Sequence, residues 1–243
     1  MANAARDSLI HTEMCAHTHH TFLSMVSNSI PITHKYEALS QIDVRSGLNE
    51  ILSDDAAKVL DTAVENEFDA CKVRYVGTGT AGYGVTTNGT ATLTCTSHFN
   101  QYHLKSMVDY MYQTLRCDPY DGDNFMAIMT TDAMRNLYDD LEAVMQYTKF
   151  PASGEVGKYY DTRFVRTNHA MSNAMGASSA YGEMYLFGKR DPVMRGVAEK
   201  LRVIPKEEAD FGRSKGLAWY CIEGYRLIYS HDPSSNMMKF CSA

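Results

Sequence analysis

Apolar residues recur at three-and-four spacing most clearly in the second fifth of the chain. Leu48, Ile51, Leu52, Val59, Leu60, Val64 and Phe68 fall on one helical face, and Asp54, Asp55, Lys58, Asp61, Glu65 and Glu67 line the other. The spacing predicts a helix opening near Ser46 or Ser53. At Ser53, a hydroxyl and the following Asp54 and Asp55 would meet the free amides and the positive dipole end. Unbroken from Ser46 to Cys71, such a helix spans about 39 Å, the length of a structural strut. Two shorter stripes predict further helices. One carries Leu104, Met107, Val108, Met111 and Leu115; the other opens at Thr131 and Asp132 and turns Met134, Leu137, Leu141, Val144 and Met145 inward.

Alternating or continuous apolar runs predict strands at Val73 to Val76, Thr90 to Thr96, Phe125 to Met129, Thr162 to Thr167, Tyr181 to Phe187 and Leu217 to Ser230, the last with a turn or bulge at Gly224. Asn88-Gly89 has the chemistry of a hairpin turn, and Asp118 to Asp123 that of a turn leading into a strand. Ahead of the long helix, Ala4 to Val26 shows a partial helical stripe, Ser27 to Pro31 breaks it, and Ile32 to Asp43 suits extended or irregular backbone. The Ser/Asn/Ala/Gly/Met stretch between Thr167 and Tyr181 is the segment expected to be most mobile. Together these describe an α+β chain: a strut, a compact mixed unit ending at Pro151 to Gly157, and a strand-rich remainder.

With 243 residues, 44% of them hydrophobic and 21% charged, the chain has the means to build a core and is not a charge-rich disordered polymer. A formal charge of -6 argues against affinity for nucleic acid through counterion release. No apolar run reaches the length of a membrane span, and the first ten residues lack the basic and apolar regions of a signal peptide. Six cysteines (Cys15, Cys71, Cys95, Cys117, Cys221, Cys241) stand apart, as free thiols in a reducing compartment would. Sixteen Tyr, 9 Phe and 15 Met are an odd mix for one chain; such residues are favoured where proteins meet, and they serve ordinary cores equally well.

Candidate chemistry is sparse. Glu13, His17 and His20 could share one side of a helix as metal ligands, but the spacing lacks the paired histidines and general-base Glu of a zinc-peptidase helix. Asp118, Asp121 and Asp123 match a calcium loop in composition only. The glycines from Gly77 to Gly84 are followed by no Lys-Ser/Thr, and Cys95 near His98 has no orienting third group. The sequence therefore predicts no catalytic residue, no cofactor and no enzyme. Two segments stand out: Gly154 to Gly157 leading to Arg163-Phe164-Val165, and Asp210 to Gly216 leading to Ala218-Trp219-Tyr220. Each is a glycine-punctuated charged turn feeding an aromatic strand. They read either as hairpin entries with solvated charges or as turns whose charges meet partners across subunit boundaries; on the second reading Glu155, Arg163, Arg213, Lys215 and Trp219 are the subunit-interface candidates.

At these segments the chain resembles major capsid proteins of tailed phages, in the N-four-like coliphage group. That family carries a GEIG or GEVG turn before a (V/C/T)RF(V/I) strand, an aromatic strand ending in Phe-Gly, and a YGRSKG(L/V)AWY segment. Gly154 to Gly157 with Thr162 to Val165, Tyr185 to Gly188, and Asp210 to Tyr220 with Phe211 in place of Tyr are the counterparts here. Asp121 to Asn124 and Asp139 to Glu142 with Tyr147 are similar too, so the likeness runs from about Ile32 onward. The resemblance implies the Hong Kong 97-like capsid fold: a long spine helix (Leu48 to Cys71), peripheral and axial domains, and an N-terminal arm and extended loop, here shortened.

It divides the chain into an arm and loop remnant (1–45), spine helix and start of the peripheral domain (46–89), mixed peripheral and axial region (90–150), and strand-rich returning region (151–243). The function implied is that of a structural subunit of an icosahedral head, assembled in the host cytoplasm and residing in the virion. Its partners would be its own copies in pentameric and hexameric capsomers, decoration or portal proteins, and packaged double-stranded DNA held without sequence-specific contacts; no membrane is involved. The alternatives are an encapsulin-like nanocompartment shell and a metal-dependent enzyme using Glu13, His17 and His20.

Overall fold

A computed structural model describes residues 23–40, 43–89, 93–141, 155–167, 182–188, 192–207, 213–228 and 235–240. The chain begins with strand β1 (Ser24–Thr33), a short helix α1 (His34–Leu39) and the long helix α2 (Val44–Asp69). At 26 residues, α2 is about 39 Å long, as its periodicity predicts. Its start differs from expectation. Asp43 is the cap, its Oδ1 accepting the backbone N–H groups of Arg45 (3.1 Å) and Ser46 (3.3 Å), and Ser53 to Asp55 lie inside the helix. A carboxylate satisfies two orphan donors and also faces the positive dipole end, so the nucleus forms one turn ahead of the first strong apolar repeat.

Helix α2 lies on a three-stranded antiparallel sheet in the order β1-β9-β8, with β8 at Val193–Pro205 and β9 at Ser214–Leu227. Their shared core is thin. Leu52 and Ala56 of α2 meet Leu217, Trp219 and Cys221 of the central strand, and Val26, Ile30, Leu48, Val59 and Leu60 close over them while staying partly exposed.

The larger sheet has seven strands in the order β3-β2-β10-β7-β4-β6-β5. These are β2 (Arg74–Gly77), β3 (Tyr83–Thr86), β4 (Phe125–Met129), β5 (Glu155–Tyr159), β6 (Thr162–Arg166), β7 (Met184–Phe187) and β10 (Met237–Phe240). The β2–β10 and β4–β6 pairs are parallel and the rest antiparallel. Helix α3 (Gln101–Gln113) buries Leu104, Met107, Val108 and Met111 in its core, and α4 (Thr131–Leu141) adds Ala133, Met134 and Leu137. Helix α3 obeys its predicted stripe, as do Met134 and Leu137 of α4, while the side chains of Leu141, Val144 and Met145 lie outside the described residues; α3 starts where Asn100 Oδ1 accepts the His103 N–H at 3.0 Å.

Several expectations yield to pairing. Ser24 to Val26, expected to end a helix, and Ser27 to Pro31, expected to break it, form one continuous strand on β9, because an available partner edge outweighs weak local preference. His34 to Leu39, expected to be irregular, is helical, capped by Thr33. Leu93 to Thr96 has no strand, although the Thr96 N–H reaches the Gly77 carbonyl at 2.9 Å. Gly224 is neither turn nor bulge; it pairs directly with Gly196, and the irregularities fall on β8 beyond Val197. Asn88-Gly89 follows β3, and the β2–β3 hairpin closes instead through Thr78 and Gly82. Glu155 to Gly157, expected to be a turn, belongs to bulged strand β5, and the hairpin turn is Tyr160-Asp161, both with positive φ (44° and 52°). The mobile segment expected between Thr167 and Tyr181, and Tyr147, lie beyond or largely beyond the described residues.

Candidate functional site

No group of three or more His, Cys, Asp or Glu side chains among the described residues could hold a metal ion, and Glu13, His17 and His20 lie outside them. No described helix is long and apolar enough to cross a membrane. The acidic turn serves structure: Asp121 pairs with Asn124 through backbone hydrogen bonds, and Gly122 supplies the positive φ of 60°. Cys95 donates to the Ser97 carbonyl (3.4 Å). Cys71, Cys95, Cys117 and Cys221 are buried and free, and burial pushes the Cys71 thiol up to about 11, so it stays protonated. His103 is wholly buried between Tyr75 OH (3.1 Å from Nδ1) and Ser97 Oγ (3.3 Å from Nε2), and burial lowers its pKa, which suits a neutral core imidazole.

The expected interface residues divide between the two sheets. On the larger one, Glu155 sits in β5 with its backbone opposite Val165, its side chain outside the described set. Arg163 of neighbouring β6 reaches Asp121 Oδ2 with Nη1 at 2.6 Å, clipping the acidic turn to the sheet. On the smaller sheet, the Arg213 carbonyl accepts the His34 N–H at 3.0 Å, and Lys215 Nζ stands 3.6 Å from Glu37 Oε2. Trp219 is 1% exposed, and its Nε1 donates to Asp55 Oδ2 at 2.9 Å. Asn28 donates to the same oxygen at 2.9 Å, and these two bonds hold the Asp55 carboxyl below its ordinary range. One carboxylate thus ties β1, α2 and β9 together.

Sequence reasoning missed two features. The first is exposed apolar surface at the start of α2. Tyr36, Leu39 and Ile51 are 63%, 73% and 56% exposed, beside a groove of about 430 Å3 lined in part by Ile30, Pro31, Val44 and Leu48. Val197, Leu201, Val203 and Ile204 of edge strand β8 are also exposed. Ile51 could be seen as part of a wide stripe, but no pattern shows that its side of the stripe would be left uncovered.

The second is a charged joint where α2 meets the larger sheet. Lys239 of β10 is 2% exposed; its ammonium donates to Asp69 at the end of α2 and to Glu183 Oε1 at 2.8 Å, and stands 5.4 Å from the Tyr185 ring centroid. Tyr185 OH donates to Asp69 Oδ1 at 2.6 Å. Burial alone would raise the Asp69 pKa, but the hydrogen bonds from Lys239 and Tyr185 outweigh it and hold the carboxyl low. Glu183 is fixed from behind: its N–H donates to Thr130 Oγ1 (3.1 Å) and its carbonyl accepts the Thr130 N–H (3.0 Å). Gly182 permits this contact, since a Cβ there would lie 2.2 Å from Thr130 Oγ1 and 2.6 Å from the Ala133 nitrogen. These hydrogen bonds and the ion pair fasten the end of α2 to β7 and β10.

No protein-family model matches the sequence, and no curated protein matches it. Solved structures do. A chain of the Cyanophage Pam1 capsid asymmetric unit has a TM-score of 0.65 at 14% identity, covering 100% of this chain and 82% of that one. A chain of the head structure of Helicobacter pylori bacteriophage KHP40 has a TM-score of 0.65 at 10% identity, covering 91% and 74%. One from the capsid structure of Cyanophage P-SCSP1u has a TM-score of 0.63 at 15% identity, covering 97% and 80%. The fold is therefore the Hong Kong 97-like fold of phage capsids, built of a long helix and mixed sheets.

Proposed function

We propose that this chain is a major capsid protein, a non-enzymatic structural subunit that assembles into the icosahedral head of a tailed double-stranded DNA phage. The observation that carries this reading is the agreement of fold with chains of phage heads over 91–100% of this chain. The physical character of the smaller unit supports it. A 26-residue helix with only Leu52 and Ala56 fully buried exposes apolar surface that neighbouring copies would cover. Many modest interfaces of this kind, summed over a shell, resist internal pressure without any one being strong.

In this reading, α2 is the spine helix, β1, β8 and β9 form the sheet of the peripheral domain, and the seven-stranded unit is the axial domain at capsomer centres. The sequence segments GEVG and GRSKGLAWY, counterparts of those in the N-four-like group, favour that subgroup. Of the expected interface residues, Glu155, Arg213 and Lys215 lie at or near strand ends, where they could meet neighbouring copies in pentamers and hexamers. The subunit's formal charge of -6 suits a container that holds DNA without gripping it.

Electron microscopy of the purified chain tests the proposal. Closed shells of uniform diameter are the expected product, if necessary after adding a scaffolding partner. A monodisperse monomer under all such conditions would sink it, and shells that enclose a protein cargo in place of DNA in the native host would favour a nanocompartment.

A further inference from the structure

His103 of α3 sits in the middle of a chain of hydrogen bonds that runs in one direction. Its ring is wholly buried, with Nδ1 3.1 Å from Tyr75 OH and Nε2 3.3 Å from Ser97 Oγ. Ser97 has a single hydroxyl hydrogen, and that hydrogen goes to the His98 carbonyl at 3.1 Å. Toward the ring Ser97 therefore only accepts, which places the imidazole proton on Nε2. Nδ1 is then bare and accepts from the Tyr75 hydroxyl, whose one hydrogen is thereby used. In its further bond with Ser106, the Tyr75 oxygen can only accept. The relay thus passes from Ser106 through Tyr75, His103 and Ser97 to a backbone carbonyl, with every donor used once.

Three pieces of the larger unit meet in this relay: α3, β2, and the irregular residues 93–100 that lead into the helix. The Thr96 N–H also bonds the Gly77 carbonyl (2.9 Å), and Asn100, besides capping α3, donates from Nδ2 to the Thr80 carbonyl (3.0 Å). Space around the ring is filled. A Cβ on Gly77 would lie 3.1 Å from Nε2, and the ring centroids of Tyr75, Tyr102 and Phe240 stand 5.7, 5.9 and 5.8 Å away. The titratable groups on its sides are Tyr75 of β2, Tyr83 of β3 stacked behind Tyr75, Tyr102 of α3, and Cys95 and His98 in residues 93–100; β10 presents Phe240. None of these is a carboxylate.

We propose that His103 is an acid-release pin for this corner of the larger unit. With a neutral ring it locks residues 93–100 and the start of α3 onto β2. A second proton, on Nδ1, aims a hydrogen at the hydrogen of Tyr75, so Tyr75 and Ser106 would both have to reverse around a charge enclosed by buried rings. The corner opens instead. Electrostatics agree with this geometry: burial, the larger influence, lowers the His103 pKa, and a backbone hydrogen bond with Gly79 opposes it. A folded value below the ordinary 6.5 means that the unfolded chain binds more protons on the acid side. The stabilising contribution is therefore fully present above about 6.5 and is lost as pH falls from there toward the folded value. The pin needs only the folded chain, and its failure would leave the capsid reading untouched.

The test uses the purified full chain and its His103→Gln variant, which keeps a donor and an acceptor in the side chain and does not titrate. In the wild type, a long-range proton–nitrogen NMR spectrum should show His103 with a bare Nδ1 and a protonated Nε2 at about pH 8, and a ring still neutral at about pH 5.5. Amide protection of Thr96 and Leu104, corrected for intrinsic exchange, should fall about tenfold between pH 7 and pH 5. His103→Gln should lose most of that fall, which separates His103 from the other histidines that titrate in this window. A ring proton on Nδ1, a folded ring that charges with a midpoint near 6.5, or a variant whose protection falls in parallel with the wild type would each overturn the proposal. If the variant fails to fold, the wild-type ring spectrum decides alone.

Discussion

The two units of this molecule solve the problem of burial differently. The seven-stranded unit has a thick core: Phe125, Ala127 and Met129 of β4, Phe164 of β6, β7 along its whole length, Met237, Met238 and Phe240 of β10, and one face of α3 share one continuous cluster with at most 8% exposure. The helix-on-sheet unit has a thin core and depends on polar clips. Asp55 joins three elements, Glu223 receives Arg195 in a two-pronged bond (2.9 and 2.8 Å) with Tyr225 adding a third, and Glu67 accepts the Leu227 N–H. Directional bonds hold a narrow sheet and a long helix in register, but they do not cover apolar surface. In the smaller unit few apolar side chains are fully buried and many stay exposed, whereas the larger unit buries a thick core.

Matched truncations put this contrast at most risk. Leu104→Ala, in the thick core, should cost about 4 kcal/mol, because rigid neighbours cannot collapse into the cavity. Leu52→Ala should cost about 2 kcal/mol, since its surroundings are half-exposed and can relax or admit water. Urea unfolding of both decides; equal or inverted costs would break the comparison.

Removing a clip should have a smaller effect. Trp219→Phe keeps most of the ring volume and removes the donor to Asp55, for an expected loss of about 1–2 kcal/mol. The two hydrogen bonds to Asp55 lower its pKa below the ordinary 3.8, so they stabilise the fold above that value, and the benefit disappears as pH falls through the folded pKa. Acid unfolding of the variant should accordingly show a shallower loss of stability below pH about 4 than the wild type. Matching acid limbs would show that Asp55 does not clip the unit.

In the larger unit, strain is the lever. Tyr160-Asp161 occupy left-handed backbone without being glycine, and a thick core tolerates this. Asp161→Gly should raise stability by about 0.5–1 kcal/mol, measured by thermal unfolding. A loss would mean that the Asp161 side chain supports the turn by another route. Smallest of all on the isolated chain is Leu39→Ser, within about 0.5 kcal/mol. Its effect should appear instead in assembly, as fewer or incomplete shells under the microscope. Wild-type yields of shells would remove this surface from the interface.

How much was legible follows the range of the interactions involved. Helices α2, α3 and α4 and strand β4 announce themselves through periodicity or a bounded apolar run, because each is specified by residues a few positions apart. Strands β1 and β8 did not: β1 contains Ser, Asn and Pro, and β8 alternates weakly, and both exist because β9 offers them edges. The Phe-Gly end of β7 was visible as a motif, yet its reason was not: a Cβ on Gly188 would lie 2.4 Å from both the Asp118 carbonyl oxygen and Cys117 Sγ. Trp219 was expected at a subunit interface, but the structure places it inside its own chain, 1% exposed and bonded to Asp55. The charged joint was invisible because Asp69, Glu183 and Lys239 are far apart in sequence and each looks like an ordinary surface charge.

By itself, the sequence determined the strut, the two amphipathic helices, the paucity of recognisable catalytic motifs, and segments resembling those of phage capsid proteins. These rest on local periodicity, capping chemistry and side-chain inventory. Only the tertiary structure decided which strands pair, which apolar residues of α2 stay uncovered, and which charges are buried together. Each of those depends on contacts between distant segments, and burial, which sets the strength of every charge and the worth of every apolar group, does not exist until the chain has folded.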